Sequence, residues 1–204
     1  MTRRLPAALA IIFLLALAWS AVRPWRYDIW ALEVFPAVLA FFLLVATWRR
    51  FPLTDLLYTL IFLHALILIV GGHYSYARVP LGDWLREAFH LARNHFDRLG
   101  HFAQGFVPAM VAREILLRRR VVRGRGWLFF LVVCIALAIS ASYELLEWAV
   151  AVLSSEKAED FLAMQGDPWD TQKDMALAGI GAVAAQLLLA RWHDRQLQEY
   201  VEAD

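Results

Sequence analysis

The sequence predicts an all-α fold: a polytopic transmembrane helical bundle of about six spans, built as a single integral membrane domain over residues 1–204. Three observations predict it. Of 204 residues, 61% are hydrophobic, against about 45–50% in a soluble globular domain. Uncharged runs cover residues 5–22, 56–77, 99–112, 127–143 and 175–190, and a helix rising about 1.5 Å per residue needs about 20 mostly apolar residues to cross about 30 Å of hydrocarbon. The nine Trp fall mostly at the ends of apolar runs, where indole rings favour the headgroup layer. A soluble chain of this length would have to bury almost every helix on all sides, which its surface-to-volume ratio forbids.

Taken in order, the spans are placed near 5–22, 29–48, 52–72, 97–117, 127–153 and 174–192. The first follows Arg3 and Arg4 and reads as a retained signal anchor, because Trp19-Ser20-Ala21-Val22 is a poor small-residue cleavage site. In the second and third, Glu33 and Asp55 lie about one turn inside the ends and read as snorkelling or capping acids. His64 reads as a mid-span core histidine. After the third span, residues 83–95 are candidates for a short interfacial helix. The fourth span is the most polar, holding Asp97, Arg98, His101, Gln104, Arg113 and Glu114; Arg113-Glu114 reads as an interfacial pair. The single Cys134 lies in an apolar run, so it forms no intrachain disulfide and fits no metal pattern. The net charge of +1 argues against a nucleic-acid partner. No internal repeat, phosphate loop or nucleophile elbow is present.

Arginine placement sets the expected orientation. Alternate loops carry Arg3 and Arg4, Arg49 and Arg50, the cluster Arg118, Arg119, Arg120, Arg123 and Arg125, and finally Arg191 and Arg195. The opposite set ends in the acidic loop 154–173, with Glu156, Glu159, Asp160, Asp167 and Asp170 against Lys157 and Lys173. Both termini are therefore expected in the cytoplasm, with the acidic loop outside. The basic run can also attract anionic lipid headgroups.

Ionisable groups inside a bilayer are costly, so their positions are informative. On span four, Asp97, His101, Gln104 and Pro108 follow spacings of four, three and four and share a stripe of about 60°. On span five, Ser140, Glu144 and Glu147 share a face flanked by Tyr143. On span six, Asp170 and Asp174 head a stripe that continues through the small residues Ala178, Gly181 and Ala185, which permit close helix packing. His73 and Tyr74 end span three on the same side. One reading is a structural polar network, with Arg98, Lys173 and the Tyr143 and Ser140 hydroxyls pairing with the acids. The other is an outward-facing site for a divalent metal, for which carboxylates plus one imidazole suit Mg²⁺, Mn²⁺ or Zn²⁺. In that second reading the candidate ligands are Asp97, His101, Glu144, Asp170 and Asp174. Candidate catalytic residues are His101, Glu144 and Asp174, and candidate substrate contacts are His73, Tyr74, Gln104, Tyr143, Glu147 and Trp169.

At these residues the chain resembles the YjdF-like inner-membrane protein family. The resemblance rests on His73-Tyr74-Ser75-Tyr76 through Val79-Pro80, Asp97-Arg98-Leu99-Gly100-His101-Phe102, Gln104-Gly105-Phe106, Arg113-Glu114, Ser142-Tyr143-Glu144-Leu145-Leu146-Glu147-Trp148, Gln165-Gly166-Asp167-Pro168-Trp169-Asp170 and Gln172-Lys173-Asp174-Met175. It covers roughly residues 50–190 and implies the membrane class and the site residues, but no reaction. A weaker similarity is to VanZ-like membrane proteins, with an acid and a His four apart in one span, a Glu in the next and Asp-x-x-x-Asn-x-x-Gly opening the last. Asp97 and His101, Glu144, and Asp174 with Gly181 match those parts; Ala178 stands at the Asn position.

Three functional readings follow. In the first, the polar site binds a divalent metal or an anionic envelope lipid or lipid-linked molecule, with or without catalysis. In the second, the chain is a small proton-coupled transporter, against which stand the absence of an inverted repeat and the one-sided clustering of acids. In the third, it is a non-catalytic structural or partner-binding membrane protein.

Overall fold

The computed structural model describes residues 4–153 and 165–201. Residues 154–164, which hold Glu156, Lys157, Glu159 and Asp160 of the acidic loop, lie outside the described residues, as does Arg3.

Every element among the described residues is helical. The long helices are α1 (Arg4–Ser20), α2 (Tyr27–Thr47), α3 (Asp55–Tyr74), α5 (Phe96–Arg118), α6 (Arg125–Leu153) and α7 (Asp170–Val201). A single 3₁₀ turn (Tyr76–Arg78) and the short α4 (Pro80–Ala88) connect α3 to α5. Helix α4 starts with proline at its first position, where the missing N–H costs nothing. It covers the first part of the interval expected to be helical, and residues 89–95 are not helix. The reason is Asn94, which ties that segment to Val79 O at 3.0 Å and to Asp83 at 3.2 Å and so competes with helix continuation.

Four helices, α2, α3, α6 and α7, are long and apolar enough to cross a membrane, and α1 is a shorter apolar helix. Only 22–39% of the residues in the most apolar windows of those four are buried within the protein, so most of their residues are not fully enclosed by it. Helix α7 shows the consequence. Ala178, Ala182 and Ala185 are each 0% exposed, whereas Leu187 and Leu188 are 73% and 71% exposed. Small residues face protein and large aliphatics face outward, which is how helices pack when the surrounding solvent is as apolar as leucine.

Helix α5 has 23 residues, enough to cross, and its charges sit towards its two ends. Helix α3 joins two subassemblies. On one side it packs with α1 and α2 around Phe13, Val34, Ala37, Ala65 and Ile69. On the other it meets α5, which packs with α6 and α7 around Ala109, Leu128, Val132, Ala136 and Ala182. The α5–α7 pair is the most extensive interface of the fold.

Candidate functional site

The site exists because α5 and α7 touch backbone to backbone. A Cβ on Gly105 would stand 1.8 Å from the carbonyl oxygen of Ala178, and one on Gly181 would stand 2.2 Å from that of Phe102. Only glycine permits such an approach at both places. One turn before Gly105 lies His101, and one turn before Ala178 lies Asp174, so the same contact that seats the helices brings imidazole and carboxylate together.

Asp97, His101, Glu144, Asp170 and Asp174 are all buried. His101 is ringed by acceptors from three helices. Its Nε2 lies 3.4 Å from Asp97 Oδ1 and 3.9 Å from Asp174 Oδ2; its Nδ1 lies 3.2 Å from Gln104 Oε1 and 3.5 Å from Glu144 Oε1. Asp97, His101 and Asp174 each offer a ligand atom within 4.8 Å of the others. Three carboxylate oxygens here, Asp97 Oδ2, Glu144 Oε1 and Asp174 Oδ1, are buried and accept no hydrogen bond, and Ser140 Oγ beside them makes none. A buried acceptor left unpaired costs roughly 1–3 kcal/mol, more when charged, and three lie together here.

Asp170 is held differently. Arg93, in the loop before α5, donates to it through both terminal nitrogens, Nη2 to Oδ2 at 3.4 Å, and lies 3.7 Å from Asp97. Arg93 is itself located by its neighbour Asn94, whose N–H donates to Gln165 Oε1 at 3.1 Å and whose carbonyl accepts from Gln165 Nε2 at 3.0 Å. Arg98 and Lys173, expected to pair with the buried acids, instead converge on Asp167 at 3.2 and 2.6 Å. Lys173 and the Trp169 N–H hold the Asp167 carboxyl below the usual aspartate range.

Other expected residues divide. Gln104, Tyr143 and Glu147 line a cavity of about 680 Å³ together with Asp97, His101 and Glu33. Trp169 is 63% exposed and does not line it. His73 and Tyr74 lie elsewhere: His73 Nδ1 meets Ser20 O at 2.9 Å and its ring packs on Trp19 at 4.5 Å and on Tyr74, so both close the α1–α3 seam. The readings of Glu33 and His64 need correction. Glu33 does not snorkel: it is 4% exposed and accepts from Tyr143 OH at 3.4 Å. His64 lines the same cavity, its Nε2 buried without a hydrogen bond.

A second polar cluster lies at the opposite end of the α5–α7 pair. Glu114 and His193 are both fully buried, so Arg113-Glu114 is not merely interfacial. Arg113 Nη1 meets His193 Nδ1 at 2.8 Å. Arginine has no acceptor, so Nδ1 accepts and the proton sits on Nε2, which donates to Glu114 Oε2 at 3.0 Å. Glu114 also accepts from Thr54 Oγ1 at 2.9 Å and Arg118 at 2.8 Å, which binds the start of α3 to α5 and α7.

Residues 5–195 match a family described as "Predicted membrane protein (DUF2238)". The chain is 53% identical over 191 residues to the "Inner membrane protein YjdF" of Escherichia coli (strain K12), covering 94% of this chain and 91% of that protein. These comparisons lend no support to the VanZ-like similarity. No solved structure matches.

Proposed function

This chain belongs to the DUF2238 family of membrane proteins, and we propose that it is a multi-pass protein of the bacterial inner membrane whose Asp97, His101 and Asp174 hold a divalent cation facing the outer side. The cation presents an anionic envelope lipid or lipid-linked molecule to Glu144, which stands 3.5 Å from His101 as the candidate base. The relative's name supports the location, and the arginine pattern supports cytoplasmic termini.

One observation carries the cation: two carboxylates and an imidazole from two helices converge within 4.8 Å, with buried carboxylate oxygens that accept no hydrogen bond. Imidazole with carboxylates suits Zn²⁺ or Mn²⁺. A cation also reconciles an acid-rich site with an anionic ligand, because carboxylates alone would repel it.

The test is elemental analysis of protein loaded with Mn²⁺ or Zn²⁺ and desalted. Wild type should retain about one equivalent; His101→Ala and Asp174→Asn should retain almost none, and Glu144→Gln should bind roughly 10–100-fold more weakly. Equal metal content in folded wild type and all three variants sinks the reading. Orientation is read separately, from reagent access to cysteines introduced as Arg120→Cys and Trp169→Cys; labelling of the first from outside would reverse it.

A further inference from the structure

The cavity below the polar site has more length than a headgroup needs. From Glu33, Asp97 and His101 it continues between α2, α3, α5 and α6 as far as Phe51 and Arg119. Along α5 the lining runs from His101 to Ile115, and along α2 from Glu33 to Thr47. Each spans fourteen residue-to-residue steps, or about 21 Å of helix. That exceeds the roughly 15 Å of hydrocarbon in one leaflet. Its walls past the acidic end are mostly apolar, with Ala40, Leu44, Val111, Ile135 and Ile139 among them and His64, Thr47 and Arg119 as the polar exceptions.

One side of this cavity is open to the bilayer. Among the described residues, α2 and α6 do not pack on one another as α2 does on α3 or α6 on α5. They meet through the Tyr143–Glu33 hydrogen bond, at the polar end. A slot with apolar walls, open sideways to lipid, is filled by hydrocarbon rather than water, since water would leave its hydrogen bonds unmade.

We propose that this cavity is the chain-binding half of the site: it takes the hydrocarbon chain of a single-chain phosphate amphiphile, which enters sideways between α2 and α6 and brings its phosphate to the Asp97–His101–Asp174 end. The assignment of the phosphate rests on the cation reading above; the chain does not. Two features of the cavity fit this occupant. The acids Glu33, Asp97 and Glu147 gather at one end with Gln104 and Tyr143, while His64 lines the middle and Thr47 and Arg119 the far end, so it is the cation reading that directs the phosphate to the acidic end. The apolar length lies along the helices, as lipid chains do. Helix α2 carries Ala37 and Ala40 where it faces the slot, leaving room beside α5 that larger side chains would fill.

The test uses full-length protein in phosphatidylcholine vesicles with Mn²⁺, and two photoreactive probes carrying a mid-chain diazirine: dodecyl phosphate and dodecanol. Crosslinked peptides are mapped by mass spectrometry in wild type, Ala40→Trp and Ile139→Trp. The phosphate probe should label the cavity walls, compete with unlabelled dodecyl phosphate, and label at least about tenfold less in either folded variant, while metal content stays at the wild-type level. Labelling spread over the lipid-facing side chains, with no excess at the cavity and no loss in either variant, overturns the proposal. Equal cavity labelling by both probes upholds the chain site and refutes the phosphate and cation reading instead.

Discussion

Gly105→Ala is a one-carbon test of the geometry on which the site depends. The added Cβ would lie 1.8 Å from the Ala178 carbonyl oxygen and 2.4 Å from its carbon. Both are backbone atoms and cannot rotate away. Ordinary contact begins near 3.4 Å, so the helices must part by about 1.6 Å here, at an overpacking cost of about 3 kcal/mol. For a chain this size that is a fall of roughly 6–12 °C in melting temperature. The opening also moves Asp174 away from His101, now 3.9 Å apart, to about 5.5 Å. Two ligands on one metal at about 2.2 Å each cannot be more than about 4.4 Å apart, so the cation site is lost with the packing. Thermal unfolding in detergent and metal content read the two effects on one sample. Gly126→Ala is the control: nothing lies within 4 Å of its Cβ, and it should change stability by no more than about 1 kcal/mol, towards stabilisation. A Gly105→Ala protein that melts with the wild type and keeps its metal would refute the close-packing account.

Two further outcomes follow. Glu114→Gln should cost about 3–5 kcal/mol, because the neutral amide replaces the carboxylate facing Arg118, Thr54 and the His193 N–H. Thermal unfolding checks it, and the metal content of any folded protein should be unchanged because the cluster lies at the other end of α5. Acid should loosen the Asp167 loop. That carboxyl is held below its ordinary value of 3.8 by Lys173, so its contribution is present above that pH and is lost as pH falls through the lower folded value. Hydrogen exchange at the Trp169 N–H, taken relative to its intrinsic rate at each pH, should rise as pH falls from 5 to 3 in the wild type, and Lys173→Met should flatten that rise.

The helical membrane class was legible because apolar runs and interfacial Trp are local properties of the chain. The α7 stripe was legible for a related reason: Asp170, Asp174, Ala178, Gly181 and Ala185 are spaced by helix geometry alone, and small residues at that spacing announce a close neighbour. Glu33 was not legible, because its partner Tyr143 lies 110 residues away, on a helix that α2 does not pack along. No periodicity encodes that meeting. Arg93 was missed because it stands in a loop, located by Asn94 and Gln165 through hydrogen bonds that have no sequence spacing. His193 lies past the last uncharged run, which ends at Ala190, while the helix carrying it continues to Val201. Apolar runs report where lipid touches a helix, not where the helix stops.

The polarity of α5 has a physical counterpart in its position. Burial inside the bundle, among α3, α6 and α7, frees its surface from being apolar but requires its charges to be paired. In lipid there is no hydrophobic force to press helices together, and van der Waals contact and hydrogen bonds must hold them. The α5–α7 pair uses both in sequence along its length. Gly105 and Gly181 give close backbone contact in the middle; at one end Glu114, His193 and Arg113 form a network in which each recorded bond has a donor and an acceptor. At the other end Asp97, Glu144 and Asp174 leave acceptors unmet. If polar residues served only to join the helices, both ends would be satisfied alike. The Glu114 end therefore carries the joining of the two helices, whereas at the other end, where Asp97 and His101 line the cavity and Arg93 lies beside Asp97 and Asp170, the unmet acceptors are the feature on which the proposed cation site rests.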